Sequence, residues 1–422
     1  MSLTRLGYSA GVYALLPAAL LRLWWRGRSE AGYREHVAER FGFYGALASD
    51  APVIWVHAVS VGETRAAEPL VNALLGRYPS HRVLVTHMTP TGRRTGLEAF
   101  GERVLRAYLP YDYPGAVGRF LDRFRPAIGV LVETEVWPNL IHAARSRGIP
   151  VYLVNARLSE RSFRRYARFS AFAGEAFAGL TAVAAQTGED ARRLGALGAR
   201  AVRVTGNVKF DATPAPAQVD LGARWRAAYG GRGVLLAAST RDGEEALLLD
   251  ALPRLAPGAL LAIVPRHPQR FEAVAALLDS RAIAYVRRSS GRGPAAETRV
   301  VLGDSLGEMS AYYAACDLAF IGGSLLRFGG HNLIEACALG RPVLVGPHTY
   351  NFAEAADGAI AAGAGLRVDS AQELMARATR LLSEPETLAG MGERGLEFSR
   401  AHQGATGRVM ALLETGLRRG TV

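Results

Sequence analysis

The chain has 422 residues, 49% of them hydrophobic and 21% charged, with 47 glycines, which fits two α/β domains with tight strand-to-helix turns and excludes a disordered or fibrous chain. Its two cysteines, Cys316 and Cys337, lack metal-ligand spacing, so neither a disulfide framework nor a zinc site is expected and a reducing compartment is the simplest home. The formal charge of +12 is carried by basic residues scattered along helices, with no basic run interleaved with aromatics; this argues against nucleic acid and leaves an anionic surface or an acidic substrate.

The first element is the nearly uncharged stretch from Leu6 to Trp25, interrupted by Pro17 and Arg22. No small-residue cleavage site follows; Trp24-Trp25 and then Arg26 and Arg28 do. Interfacial aromatics with arginines beyond them read as a membrane anchor over residues 1–28 that leaves the body on the cytoplasmic side. The plainer alternative is an apolar helix packed on that body.

From residue 53, short apolar runs alternate with helical patterns. VIWVHAVS (53–60), RVLVTHM (82–88), IGVLVETE (128–135), VYLVNA (151–156), LTAVAAQ (180–186) and VRVTG (202–206) predict a parallel sheet buried on both faces. ATPAPAQ (212–218) reads as an interdomain linker, placed at 212–222. GVLLAAS (233–239), ALLAIVPR (259–266), TRVVLGD (298–304), LAFIGGS (318–324) and PVLVGPH (342–348) predict a second doubly wound unit, followed by a helical tail. Two Rossmann-like domains facing a cleft are expected, with ligands outside the carboxyl ends of the strands.

The first strand runs into HAVSVGE (57–63), where Gly62 permits a sharp turn and Glu63 opens a helix. Such a glutamate complements the helix dipole, and in a cleft that raises its pKa it serves as a general base. VETE (132–135) brings Glu133 and Glu135 to the same rim, one of them open to a structural role. GNVKFD (206–211) supplies Lys209, the single lysine among 50 basic residues, a compact point charge suited to a phosphate or a developing negative charge.

In the second unit, STRDGEE (239–245) reads as a capped helix start attractive to phosphate. Arg266 and His267, in PRHP (265–268), offer a planar cation and an imidazole. Gly322-Gly323-Ser324 and GGHNLIE (329–335) form a glycine-rich approach to a helix, with Glu335 placed to accept ribose hydroxyls. No GxGxxG follows the first strand of either domain and no P-loop occurs, which removes NAD enzymes and P-loop kinases.

These motifs, with VETEVWPNL (132–140), PRHPQRF (265–271) and GGHNLIEACALGRPVLVGPHTYNF (329–352), resemble the bacterial Kdo (3-deoxy-D-manno-oct-2-ulosonic acid) transferases. The resemblance implies a GT-B fold, with an acceptor-binding domain over 29–211, a CMP-sugar-binding domain over 223–395 and C-terminal helices over 396–422. It implies inverting transfer of Kdo from CMP-Kdo to lipid IVA at the cytoplasmic side of the inner membrane, in lipopolysaccharide synthesis, with no cofactor, metal or nucleic acid. By motif position Glu63 is the general base, and Glu133 and Lys209 support the transition state. Arg266, His267, the Gly307-Glu308-Met309 turn and Asn332-Leu333-Ile334-Glu335 hold CMP. Arg241, Leu333-Ile334 and Met309 depart from the usual His, Pro-Leu and Leu. An anionic donor and a phosphorylated lipid acceptor give the excess arginine a purpose. The rivals are a GT-B transferase using a UDP-sugar and a non-catalytic nucleotide-sugar binding protein.

Overall fold

The computed structural model describes residues 3–46, 51–168 and 170–418, and the chain divides into two units, Met1–Ala212 with Gln403–Val422, and Thr213–His402. In the first unit, β1 (Val53–His57), β2 (Arg82–His87), β3 (Leu105–Tyr108), β4 (Pro126–Val132), β5 (Val151–Ala156), β6 (Ala182–Ala185) and β7 (Val202–Val204) form one parallel sheet in the order β3-β2-β1-β4-β5-β6-β7. Alternate residues feed opposite cores, as the strand period of two requires. Val53 and Trp55 pack with Phe120, Leu131 and Leu153 on one face, while Ile54 and Val56 pack with Leu70, Val71 and Val130 on the other.

The second unit repeats the plan. β8 (Val234–Thr240), β9 (Leu260–Pro265), β10 (Tyr285–Arg287), β11 (Val300–Leu302), β12 (Leu318–Ile321), β13 (Val343–Val345) and β14 (Gly365–Arg367) form a parallel sheet in the order β10-β11-β9-β8-β12-β13-β14. Sequence patterning missed β3, β10 and β14. Each is three or four residues long, lies at a sheet edge and contains an arginine, too short and too polar for a periodic signal.

Two domain limits differ from those read in the sequence. Within 212–222 the chain is already helical: Pro216 opens the helix Pro216–Ala228, a position where a missing N–H costs nothing. That helix lies against Met309–Ala315 so closely that a Cβ at Gly222 would collide with the Ala311 carbonyl. The C-terminal helices are split between the units. Pro385–Ala401 stays with the second, whereas Ala405–Leu417 inserts Val409, Leu412 and Leu413 into the core of the first. Asp211 fixes this return by accepting the backbone N–H groups of Gly404 and Thr406.

At the N-terminus the apolar stretch forms two helices, Leu3–Ala14 and Leu16–Ser29, bent by 43° between Thr4–Ala14 and Leu16–Arg28. Pro17 in the first turn of the second helix accounts for the break. Among the described residues no single helix is long and apolar enough to cross a membrane. The first helix is tied to its unit: Tyr8 donates to Asp112 Oδ2 (3.0 Å) and Ser9 to Asn139 Oδ1 (3.1 Å). The second leaves Leu20, Leu21, Trp24 and Trp25 exposed.

Candidate active site

In each sheet the strand order reverses beside the first strand, between β1 and β4 in one unit and between β8 and β12 in the other. Loops leaving neighbouring strands diverge there, so the carboxyl ends of those strands border a crevice. Glu63 and Glu133 follow β1 and β4; Arg241 and Gly322–His331 follow β8 and β12.

In the first unit Ser60 precedes the helix Val61–Arg77 and Glu63 folds back over its first turn. Its Oε2 accepts the Val59 N–H (2.7 Å) and its Oε1 the Ser60 hydroxyl (3.3 Å). Burial nevertheless pushes the carboxyl up to about 8, with the negative fields of Glu133 and Glu135 adding to the effect and the two hydrogen bonds opposing it. Burial likewise raises Glu135, with Glu133 adding.

Glu133 sits in the left-handed region at φ 65°, an unusual place for a glutamate and one that strained functional turns favour. Its Oε1 accepts from Lys209 Nζ at 2.8 Å. Lys209 is positioned through Asn155, itself at φ 51° beside a register shift in β5; Asn155 Oδ1 accepts the Val208 N–H at 3.1 Å. The three carboxylates and the single lysine therefore share one crevice. His57, in the same motif as Glu63, is fully buried and held down to about 3 by that burial, so it stays a neutral ring with Nδ1 at Thr86.

In the second unit a carboxylate within the stretch 239–245 takes up N–H groups of its own loop and of the loop after β12. Gly243 is the residue before the helix Glu244–Ala251, and the Glu244 carboxylate already accepts from Arg241 N (2.9 Å), Gly323 N (2.6 Å) and Leu325 N (3.0 Å). This carboxylate binds the loop after β8 to the loop after β12. The two are pressed together: a Cβ at Gly322 would lie 2.6 Å from the Ser239 carbonyl oxygen. Gly322→Ala is accordingly expected to destabilise the unit by about 1–3 kcal/mol, read as a lowered thermal midpoint.

Arg266 and His267 follow β9, both exposed. Arg241 Nη1 donates to His267 Nε2 at 3.0 Å. Gly307 takes a left-handed turn (φ 76°) after β11, Glu308 accepts from Arg288 (3.0 Å), and Met309 opens a short helix. Asn332 closes a turn by accepting Ile334 N (3.1 Å) and donating to Glu335 Oε1 (3.0 Å). Leu333 and Ile334 are each about 1% exposed, so at the surface they offer backbone only. Among the described residues no group of three or more His, Cys, Asp or Glu is arranged to hold a metal ion.

Residues 35–212 match the family model described as 3-Deoxy-D-manno-octulosonic-acid transferase (kdotransferase). A 3-deoxy-D-manno-octulosonic acid transferase of Bordetella pertussis is 48% identical over 97% of this chain and 99% of its own length. The chain belongs to the Kdo transferase family. A Haemophilus influenzae transferase of the same name is 38% identical over 92% of both chains. Membership makes the protein an enzyme, a glycosyltransferase whose transferred sugar is Kdo. Its GT-B-like fold is shared with a Rickettsia africae glycosyltransferase (TM-score 0.60, 13% identity, 87% of this chain and 99% of that one). It is shared too with a Neisseria meningitidis UDP-GlcNAc 2-epimerase (TM-score 0.59, 19% identity, 86% and 100%).

Within this Kdo transferase, sequence reading named Glu63, Glu133 and Lys209 separately, and the structure brings them together. It left Asn155, Phe328 and His331 without a role. Asn155 carries no sequence signal, since its importance comes from a left-handed backbone in the middle of an apolar strand. His331 stood inside a quoted motif, but its electrostatic neighbours Arg266, Arg241 and His267 come from loops more than 60 residues earlier.

Proposed function

We propose that the enzyme transfers Kdo from CMP-Kdo to lipid IVA with inversion at the anomeric carbon and with Glu63 as general base. The carrying observation is the Glu63 carboxyl at about 8, at the crevice of its sheet. A carboxylate of that basicity takes a proton near working pH far better than an ordinary glutamate does. The acceptor hydroxyl oxygen attacks the anomeric carbon, its proton passes to Glu63, and the bond to the CMP phosphate oxygen breaks with the electron pair leaving on CMP. Glu133, charge-paired with Lys209, faces the positive charge that develops on the sugar ring.

Arg266, His267, the Gly307-Glu308-Met309 turn and Asn332–Glu335 hold the CMP portion, with Leu333 and Ile334 contributing backbone groups. The reaction belongs at the cytoplasmic side of the inner membrane, where the exposed Leu20, Leu21, Trp24 and Trp25 next to Arg26 and Arg28 suit an interface.

Mass spectrometry of lipid IVA incubated with CMP-Kdo and the enzyme tests the reading. A gain of one or more Kdo units is expected, and the new linkage should have the opposite anomeric configuration to the donor by NMR. No gain from folded enzyme, or a gain only with a UDP-sugar, would overturn it.

A further inference from the structure

Arg241 is set apart from the other arginines of its unit. Its backbone N–H is pinned by Glu244, its guanidinium lies over the Phe328 ring at 4.6 Å from the centroid, and Nη1 donates to His267 Nε2 at 3.0 Å. A guanidinium has only donors, so His267 Nε2 must accept, which leaves the ring proton on Nδ1. No carboxylate pairs with Arg241 among the described residues, whereas in the same unit Arg270 and Arg287 each have two and Arg288 has one. Its side-chain bond to His267 leaves most of the fork's N–H groups for a ligand, above the ring that the guanidinium lies over.

Across the crevice, His331 packs against the turn after β12: a Cβ at Gly323 would lie 3.0 Å from His331 Nε2 and 3.4 Å from Arg241 Cγ. That Nε2 is buried without a partner. Burial comes first in holding the ring down to about 3, followed by the cations Arg266 and Arg241, with the His267 ring adding to the effect. The loop carrying Phe328 and His331 is braced: Gly330 donates to the Gly323 carbonyl (2.7 Å), and Asn351 to the Phe328 carbonyl (2.9 Å). The result is a pre-formed corner with open guanidinium donors, in which the Glu244 carboxyl is taken up by backbone N–H groups and no carboxylate pairs with the Arg241 guanidinium among the described residues.

We infer that Arg241, stacked on Phe328 and steered by His267, binds the carboxylate of the donor sugar and so selects an acidic sugar. This rests on CMP-Kdo being the donor, as proposed above. That donor carries two anions, a phosphodiester and a sugar carboxylate. Arg266 and His267 are assigned to the first. The flat, edge-open fork of Arg241 matches the second, because a planar carboxylate accepts two parallel N–H bonds in the guanidinium plane.

Calorimetric titration of wild type, Arg241→Gln and Arg241→Lys with CMP and with CMP-Kdo separates the possibilities. CMP lacks the sugar carboxylate, so its Kd should stay within about twofold in all three proteins, which also certifies the fold. CMP-Kdo affinity should fall about 10- to 100-fold in Arg241→Gln, as expected for a lost charge-assisted pair, and less in Arg241→Lys. Equal weakening of CMP and CMP-Kdo would place Arg241 on the phosphate and overturn the inference, as would unchanged affinity for both. Wild type that binds UDP-GlcNAc but not CMP-Kdo would instead overturn the donor assignment itself.

Discussion

Glu63→Gln is expected to lower kcat by about 10²- to 10⁴-fold, the range for loss of a positioned general base, while leaving CMP affinity unchanged. The same substitution should make the protein more stable at alkaline pH. A carboxyl raised from its ordinary value to about 8 favours the protonated form in the fold. Its contribution to stability is complete below the unfolded value of about 4.3 and is lost as pH rises through about 8. Glutamine mimics the protonated carboxyl and loses nothing over that window, a difference of order a few kcal/mol at pH 9. Wild-type kcat/KM should rise with pH through about 8 as the base is uncovered, whereas the residual activity of Glu63→Gln should be flat. Thermal melts at pH 6 and pH 9, run beside initial rates, check both halves. A variant that keeps wild-type activity, or whose stability gain is no larger at pH 9 than at pH 6, would remove Glu63 from the role of base.

The main architecture was legible because buried parallel strands announce themselves as β-branched runs, and eleven of the fourteen strands among the described residues did so. What sequence did not show follows from geometry that has no local signature. The helix Ala405–Leu417 reads as a tail until Asp211, almost 200 residues earlier, is seen capping it. The stretch 239–245 has the composition of a phosphate-binding turn, but Gly243 adopts φ 91° and the Glu244 that follows it is turned inward, where it accepts the N–H groups of Arg241 and Gly323. Conversely, Lys209 drew attention by its rarity and by its place in GNVKFD (206–211). Its partner Glu133, and the Asn155 side chain that sets its height, became visible only when β4, β5 and the segment after β7 were laid side by side.

Glu244→Ala is expected to be the most damaging single change in the second unit, costing about 3–5 kcal/mol and abolishing CMP binding at temperatures where wild type is fully folded. The carboxylate is fully buried, and its two oxygens accept three backbone N–H groups from two different loops. Removing it leaves the N–H groups of Gly323 and Leu325 stranded in the interior and unties Arg241 from the turn after β12. Glutamine does not repair this: one oxygen becomes an NH₂ group that meets backbone donors with more donors. Burial pushes the Glu244 carboxyl upward despite those N–H groups. The neighbouring Glu245 supplies the contrast. It is equally buried, but Arg270 is its charged partner, and that arginine also holds Asp242, so Glu245→Ala leaves a partly exposed cation that keeps a second carboxylate. Urea unfolding of the three variants should therefore rank Glu244→Ala and Glu244→Gln well below Glu245→Ala. Equal midpoints for all three would mean that the crevice of this sheet is held by its strands alone.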